Sequence, residues 1–372
     1  MQVVFVHGVN TRDLGDGDYE KWVNGRTDRM NRLVFRGHAE IRNPYWGKYG
    51  LQTKVLKSTP VKKGDANPLG RSQRSLTGSN ELLSLAKLDF RSAIASMSVS
   101  AISQATALME TTDRHRVEDL WLALAASADA GYVPEWLPFV RSDAELLDRL
   151  TQVSTEETSL DTLLSTTRPM GIDWKPKVAA FDPNAFLAAR ARELMAGHLA
   201  QFLGDALMFF SRREQSLAVR REICASIVGA AKSARDHGQP LVLIGYSMGG
   251  GVLHEVLTDR DAVAEMEQQL GAPLKVDLFL SVGTQIGLFA ELQQFSEVAA
   301  GTPLAVPVSH YWNIFDYNDT LAFLCAPLLP TALDFEVSTG AGISDAHGAY
   351  FENALFFSRL NGRLTNAGLL GA

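Results

Sequence analysis

One short segment has the residue types and the spacing of a nucleophilic site. It reads GYSMG (245–249), a serine with a glycine two positions away on either side. The apolar run Leu241–Gly245 leads into it and a helical pattern follows, so the serine falls on a strand-to-helix turn. On a turn this sharp, side chains at the two glycine positions would collide. The spacing predicts that Ser247 is a nucleophile, and that the Met248 N–H and the helix N-terminus face a developing oxyanion.

A second recognisable segment opens the chain. It reads VVFVHGVN (3–10), a short β-branched and aromatic run that predicts a buried strand ending at His7-Gly8. Together with the G-x-S-x-G turn, this segment resembles the α/β-hydrolase superfamily, in its lipase and serine esterase branch. In that family, the strand that ends in His-Gly supplies a second oxyanion donor. The resemblance covers residues 1–10 and 200–372. It implies that the Val9 N–H is this donor and that His7 is structural.

A serine nucleophile needs a base that takes its proton. Three histidines follow Ser247 in the sequence. His254 lies seven residues along the nucleophile's own predicted helix and is expected to point away from the serine. His310 begins a predicted strand and would lie at the wrong end of the sheet. His347 lies in a loop between the last predicted strand and the last predicted helix, where the family places its base, so His347 is the predicted base.

The base in turn needs an acid that orients it, and the resemblance implies the order Ser, then Asp or Glu, then His. The acid should follow the predicted strand His310–Phe315, in the segment NIFDYNDTLAF (313–323). Asp319 matches the family's spacing past that strand better than Asp316, which is expected to cap the turn. We therefore predict Asp319 as the acid, with Asp316 as the open alternative and Asp345 as a third candidate.

These residues imply a serine hydrolase that cleaves a carboxylic ester through an acyl-enzyme on Ser247. The expected substrate is a small-molecule or lipid-like acyl compound. A thioesterase, an amidase or an acyltransferase would use the same triad, and a non-catalytic binding protein of the same fold stays open. The sequence contains no phosphate-binding loop, dinucleotide fingerprint or metal-ligand spacing, so no cofactor and no metal are expected.

The elements that must position these residues are predicted from the apolar pattern. Leu274–Val282 and Leu333–Ser338 are further runs of strand length, and Glu40–Tyr49 holds a weaker one. Helical patterns such as Gln215–Ala234 and Tyr350–Leu360 alternate with them. This alternation predicts a mostly parallel, doubly wound α/β sheet, which is the α/β-hydrolase fold in the resemblance.

Residues 51–199 do not fit this alternation. Leu51–Ser79 is rich in Lys, Ser, Gly and Pro and predicts a loop, and helical spacing without a convincing strand follows from Asn80. The gap between Gly8 and Ser247 also exceeds what two strand-helix crossovers of about 30 residues each need. We therefore predict a hydrolase core formed by residues 1–50 and 200–372, and a helical insertion at 51–199 that caps the site.

Charge is unevenly distributed along the 372 residues. The net charge is −7, yet Lys21–Arg74 holds 13 Lys and Arg against 3 Asp and Glu. An acidic chain with one basic segment argues against a general nucleic-acid binder and leaves open an anionic ligand or peripheral contact with an anionic lipid surface near that segment. The start of the chain has no signal-peptide pattern, and the two cysteines, Cys224 and Cys325, lie in apolar runs. A cytoplasmic protein is expected, and the oligomeric state stays open.

Overall fold

The computed structural model describes residues 1–9, 11, 18–50, 81–108, 111–153, 205–211, 214–296, 304–342 and 345–370. These residues form two compact units. The first, called the sheet unit, comprises the described residues up to 50 and those from 205 to 336. The second, called the helical unit, comprises those from 81 to 153 and from 337 to 370.

The sheet unit is built on parallel strands. In the described part of the chain, the strands are β1 Gln2–Val6, β2 Glu40–Arg42, β3 Leu241–Tyr246, β4 Val276–Val282, β5 Val308–Phe315 and β6 Ala332–Glu336. Their order across the sheet is β2-β1-β3-β4-β5-β6, and every neighbouring pair is parallel. All residues of β1 and β3 are buried, which explains their near-continuous apolar sequences. The predicted α/β class with a mostly parallel sheet is confirmed.

The helices alternate with these strands and extend beyond them. In chain order they are α1 Asp18–Leu33, α2 Glu81–Leu88, α3 Phe90–Leu108, α4 Thr111–Asp129, α5 Asp143–Val153, α6 Glu214–His237, α7 Met248–Thr258, α8 Arg260–Leu270, α9 Ile286–Glu291, α10 Ala346–Ala349 and α11 Ala354–Asn366. Short 3-10 helices lie at Gly47–Tyr49, Leu137–Phe139 and Tyr350–Glu352. No helix in these described ranges combines the length and the apolar character needed to cross a membrane.

The strand order contains a switch point between β1 and β3. After β1 the chain adds β2 on one side, and it later returns to add β3 on the other side of β1. In open α/β sheets, ligands bind outside the carboxyl ends of the strands at such a point. Val6 at the end of β1 pairs with Gly245 near the end of β3. The two segments that the sequence singles out therefore end side by side at this point.

The apolar stripe of helix α6 is the face that packs on the sheet. Val219, Ile223 and Ile227 recur every four residues, and all three are fully buried in the core that α6 shares with β1 and β3. Burying each such side chain contributes about 1.5–3 kcal/mol as an upper estimate. The helix ends at His237, and Gly238 follows with a positive φ of 63°. Both the stripe and the end of this helix match the prediction.

Two helices of the sheet unit are absent from the sequence prediction. Helix α1 buries a sparse set of apolar residues, among them Val23, Met30 and Leu33, so its periodicity is weak. Helix α8 has clear end signals instead. The Asp259 carboxylate accepts hydrogen bonds from the backbone N–H groups of its first turn, and Gly271 follows it with a φ of 68°. An Asp and a Gly bounding eleven helical residues are the signal that could have identified α8.

The helical unit differs from the predicted boundaries. Residues 337–370, which the sequence analysis assigns to the hydrolase core, pack with α2–α5. Ala354 and Leu355 of α11 lie in the apolar cluster of these helices. Arg359 donates two hydrogen bonds to the Asp129 carboxylate of α4, at 2.6 and 3.0 Å. Helix α11 therefore groups with the predicted insertion, because its apolar face is buried against α3 and α4. The prediction that the insertion caps Ser247 stays a prediction.

Some predicted elements lie outside the described residues. They are the loop Leu51–Ser79 and most of a helix expected between Asn184 and Phe210, of which residues 205–210 are described and helical. Of the basic segment, residues 51–74 also lie outside the described ranges.

Candidate active site

Ser247 has the backbone of a residue held in a strained turn. Its φ is 54° and its ψ is −131°, in a region that residues with a Cβ rarely adopt. It lies directly between β3 and α7 and is 2% exposed. Its N–H donates to Val282 O at 3.0 Å, and its carbonyl accepts from the Gly250 N–H at 3.0 Å. Strain of this kind, about 1–3 kcal/mol, persists only where the surroundings enforce it, and it clusters at functional sites.

The two flanking glycines are required by close approach of the backbone. A Cβ on Gly245 would lie 2.7 Å from Gly250 N, and a Cβ on Gly249 would lie 2.5 Å from His7 O. Both neighbours are main-chain atoms, which cannot move aside as a flexible side chain can. The prediction that glycine is needed on both sides of Ser247 is confirmed. The close approach at Gly249 also shows that the start of α7 packs directly against the end of β1.

Substituting these glycines should therefore affect stability very unequally. We expect Gly249→Ala to lower the free energy of unfolding by about 3 kcal/mol or more, because the new Cβ overpacks against main chain. Gly251→Ala is the matched control in the same helix, since its Cβ would meet side-chain atoms at ordinary contact distance, those of Phe289 at 3.5 Å and Met248 at 3.9 Å. We expect it to raise that free energy by about 0.5–1 kcal/mol. Urea unfolding of both variants measures the difference, and equal effects would contradict it.

The end of β1 lies directly against Ser247. A Cβ on Gly8 would lie 2.8 Å from Ser247 Cβ and 3.3 Å from Ser247 Oγ. The backbone of Gly8 is thus beside the serine hydroxyl, and Val9 is the next residue along it. Met248 is the first residue of α7, where a helix leaves its N–H groups without intrahelical partners. The assignment of the Val9 and Met248 N–H groups as oxyanion donors stays a prediction.

His7 is tied into the structure by its neighbours. Its ring stacks on Trp46 at 5.1 Å with an interplanar angle of 3°. The Trp46 Nε1–H donates to His7 O at 2.8 Å, and Trp46 is fully buried. Tyr19 and Tyr45 surround the same ring, each at 5.9 Å. These contacts anchor the backbone that runs beside Ser247. The role of Trp46 as this anchor was not predicted, and the sequence alone offered only an aromatic after a weak strand.

The two candidate acids have closely similar surroundings. Asp316 is 3% exposed, and its Oδ1 accepts from the Asn318 N–H at 2.8 Å. Asp319 is 4% exposed, and its Oδ1 accepts from the Leu321 N–H at 2.9 Å. The predicted turn-capping contact of Asp316 is present, but Asp319 makes the same kind of contact. Turn capping therefore does not distinguish the two, and the preference for Asp319 rests on its spacing.

The predicted base, His347, belongs to a different unit from Ser247. Ser247, Met248, Val9 and both aspartates are in the sheet unit, whereas His347 is in the helical unit. His347 is the second residue of the short helix α10 and is partly exposed. Its pairing with Ser247 stays a prediction from the sequence.

The other two histidines after the nucleophile have placements unsuited to a base. His310 pairs in register with Leu278, which pairs with Val242, five residues before Ser247. It is therefore about 16 Å from the carboxyl end of the sheet at 3.3 Å per residue. His254 on α7 is 2% exposed, and its ring packs on Phe295 at 4.5 Å. Both were set aside at the sequence level, and their positions agree with that choice.

Burial lowers the pKa of His254 to about 3. In the unfolded chain a histidine pKa is about 6.5, so below that pH the unfolded state binds a proton that the folded state excludes. We expect the protein to lose stability as the pH falls from about 6.5 towards 3, at up to about 1.4 kcal/mol per pH unit. His254→Gln should flatten this dependence in urea unfolding at pH 4–7. His310→Gln, at a partly exposed ring, is the control, and an unchanged slope in His254→Gln would contradict the expectation.

An open cleft lies elsewhere on the sheet unit. Its volume is about 680 Å³, and Arg42, Tyr49, Arg221 and Glu222 are among its lining residues. Lys48 donates to the Glu222 carboxylate at 2.9 Å, which raises the pKa of Lys48. The lining shares no residue with the Ser247 turn, so the cleft is separate from the candidate site.

No family model, no curated protein and no solved structure matches this chain. The case for a function therefore rests on the geometry around Ser247.

Proposed function

We propose that this chain is a serine hydrolase of the α/β-hydrolase type that cleaves a carboxylic ester through an acyl-enzyme on Ser247. The observation that carries the proposal is the backbone of Ser247, with φ 54° and ψ −131° at a strand-to-helix turn. A serine with no reactive role would have no reason to retain this strain. The location at the switch point of the sheet, beside Gly8, supports the same conclusion.

The reaction has two halves. Ser247 Oγ attacks the ester carbonyl carbon while His347 takes the hydroxyl proton, and the alcohol leaves with that proton as the acyl-enzyme forms. Water then attacks the acyl carbon, gives a proton to His347, and releases the acid as Ser247 Oγ regains a proton. Asp319 orients the imidazole and stabilises its charged form.

In both halves of the reaction, negative charge develops on the carbonyl oxygen and must be stabilised. The N–H groups of Met248 and Val9 are the proposed donors, and the N-terminus of α7 adds a favourable dipole. One such donor contributes about 10²–10³ in kcat where it has been removed from a hydrolase. The stacked His7 and Trp46 rings support this role, because they hold the backbone next to Val9 in place.

Covalent labelling tests the proposal directly. A fluorophosphonate probe should label the protein, and mass spectrometry should find the adduct on Ser247. Ser216→Ala removes another fully buried serine of the sheet unit and should leave labelling unchanged. Folded protein that is neither labelled nor active on 4-nitrophenyl esters, thioesters or anilides would refute the proposal. The relative rates on these three substrate classes separate an esterase from a thioesterase or an amidase.

Substituting the two aspartates should identify the acid. We expect Asp319→Asn to lower kcat by about 10⁴-fold, because the imidazole loses the carboxylate that orients it and stabilises its charge. Asp316→Asn is the matched control, since its burial and its main-chain hydrogen bond are the same in kind. It should lower kcat by less than about 10-fold. Steady-state hydrolysis of 4-nitrophenyl butyrate measures both, and the reverse ranking would assign the acid to Asp316.

A further inference from the structure

The segment that carries both candidate acids is attached to the sheet unit by polar side chains, of which Gln285 and Asn313 are buried and Asp334 is partly buried. This acid segment, residues 316–326, begins directly after β5 and contains no regular element. Its first half forms two turns, in which Asp319 N–H donates to Asp316 O at 2.9 Å and Ala322 N–H donates to Asp319 O at 3.1 Å. Turns of this kind fix local shape but do not attach the segment to the sheet. The attachment comes from the second half.

Asn313 and Asp334 attach the end of the acid segment to the sheet. They are direct cross-strand neighbours on β5 and β6, and Asn313 Nδ2 donates to Asp334 Oδ1 at 2.7 Å. Asn313 Nδ2 also donates to Phe323 O at 2.9 Å. The Asp334 carboxylate accepts from the N–H groups of Cys325 and Ala326, each at 2.9 Å. Two side chains on the sheet therefore hold three backbone groups of the segment.

A second attachment holds its middle. Gln285 Nε2 donates to Leu321 O at 2.6 Å and to Gly283 O at 3.2 Å, and Gln285 is 1% exposed. The Phe323 N–H donates to Thr284 O at 2.9 Å. These bonds join the acid segment to the turn between β4 and α9. The N–H of the same residue, Leu321, donates to Asp319 Oδ1. Gln285 and the predicted acid therefore bind the same residue of the segment.

We infer that Gln285, Asn313 and Asp334 are positioning residues, which hold the acid segment, and with it the predicted acid, in place at the carboxyl end of the sheet. The inference rests on the proposed function. An acid that orients an imidazole must be placed to within a fraction of an ångström, and supporting hydrogen bonds from rigid elements provide this. A misplacement of about 1 Å can lower a rate by about 10²-fold. Two buried amides, a carboxylate and the strands β5 and β6 supply that support here.

Gln285 gives the cleanest test, because it lies at the edge of the network and has a close counterpart elsewhere. Gln2 is also buried, at 3% exposed, and its Nε2 also donates two hydrogen bonds, to Glu40 and Gln239. It lies at the amino end of β1, away from the carboxyl ends of the strands. We expect Gln285→Met to lower kcat on 4-nitrophenyl butyrate by about 10–100-fold with KM changed less than about 3-fold. Gln2→Met should change kcat less than about 3-fold at a similar drop in Tm.

A double-mutant cycle shows whether Gln285 acts through the acid. The background of the cycle is whichever aspartate variant loses its activity, Asp319→Asn or Asp316→Asn. Adding Gln285→Met to that variant should lower its residual kcat by less than about 3-fold. An equal loss in both backgrounds, or an equal loss in Gln2→Met, would overturn the inference and leave the proposed function standing. A wild-type protein that no fluorophosphonate labels would overturn the proposed function and the inference with it.

Discussion

Ser247→Ala is expected to lower kcat by about 10⁶-fold and to abolish fluorophosphonate labelling, because Ser247 Oγ is the proposed nucleophile of the acyl-enzyme. The residual rate should be that of binding and oxyanion stabilisation alone. Steady-state and single-turnover hydrolysis of 4-nitrophenyl butyrate measure the loss, and circular dichroism checks the fold. Labelling that persists in Ser247→Ala would place the nucleophile elsewhere.

The same position should show the stability consequence of backbone strain. Ser247→Gly and Ser247→Ala both remove the hydroxyl, but only glycine adopts a φ of 54° with a ψ of −131° without a Cβ conflict. Relief of about 1–3 kcal/mol of strain is opposed by about 0.5–1 kcal/mol of extra chain entropy. We expect the glycine variant to be more stable than the alanine variant by about 1 kcal/mol, measured by urea unfolding. The opposite order would show that the turn is not strained.

His347→Ala should have an effect of the same size as Ser247→Ala, about 10⁶-fold in kcat, because the serine hydroxyl then has no base. His310→Ala is the matched control. That histidine also follows Ser247 in the sequence, but the sheet register places it near the opposite end. It should change kcat by less than about 3-fold. The two variants together also test the order of the triad that the resemblance implies.

Two further measurements make the histidine result decisive. The double variant Ser247→Ala, His347→Ala should be no slower than either single variant, since groups that act as one unit are not additive. Labelling of His347→Ala by a fluorophosphonate should also be slowed, because the probe reacts with an activated serine. If His347→Ala keeps more than about a tenth of the activity, the base is another residue and the triad must be reassigned.

The nucleophile turn could be predicted because its determinants are local. The apolar run before Ser247, the glycines at 245 and 249 and the helical pattern after them all lie within about twenty residues. The backbone of the turn and the close approach at both glycines agree with that prediction. The parallel sheet could be predicted for the same reason, since β1, β3 and β4 are mostly apolar runs of strand length, which is typical of strands buried on both faces of a sheet.

The grouping of the helices could not be predicted in this way. Helix α11 has the stripe of any amphipathic helix, and its sequence does not say which surface covers that stripe. Its contacts with α3 and α4, including the Arg359–Asp129 pair, join residues more than two hundred positions apart. The assignment of residues 337–370 therefore differs between the sequence analysis and the structure.

The sequence by itself determined that Ser247 lies on a tight strand-to-helix turn and which strand and helix flank it, because turn chemistry and apolar periodicity act over a few residues. The tertiary structure alone decided which residues distant in the sequence contact that turn, the end of β1 and the acid segment. It put Gly8 against the Ser247 side chain, Trp46 beneath His7, and the Asn313–Asp334 pair under the acid segment. Such contacts depend on strand order and register, and a hydrogen bond between residues far apart leaves no periodic signal in the sequence.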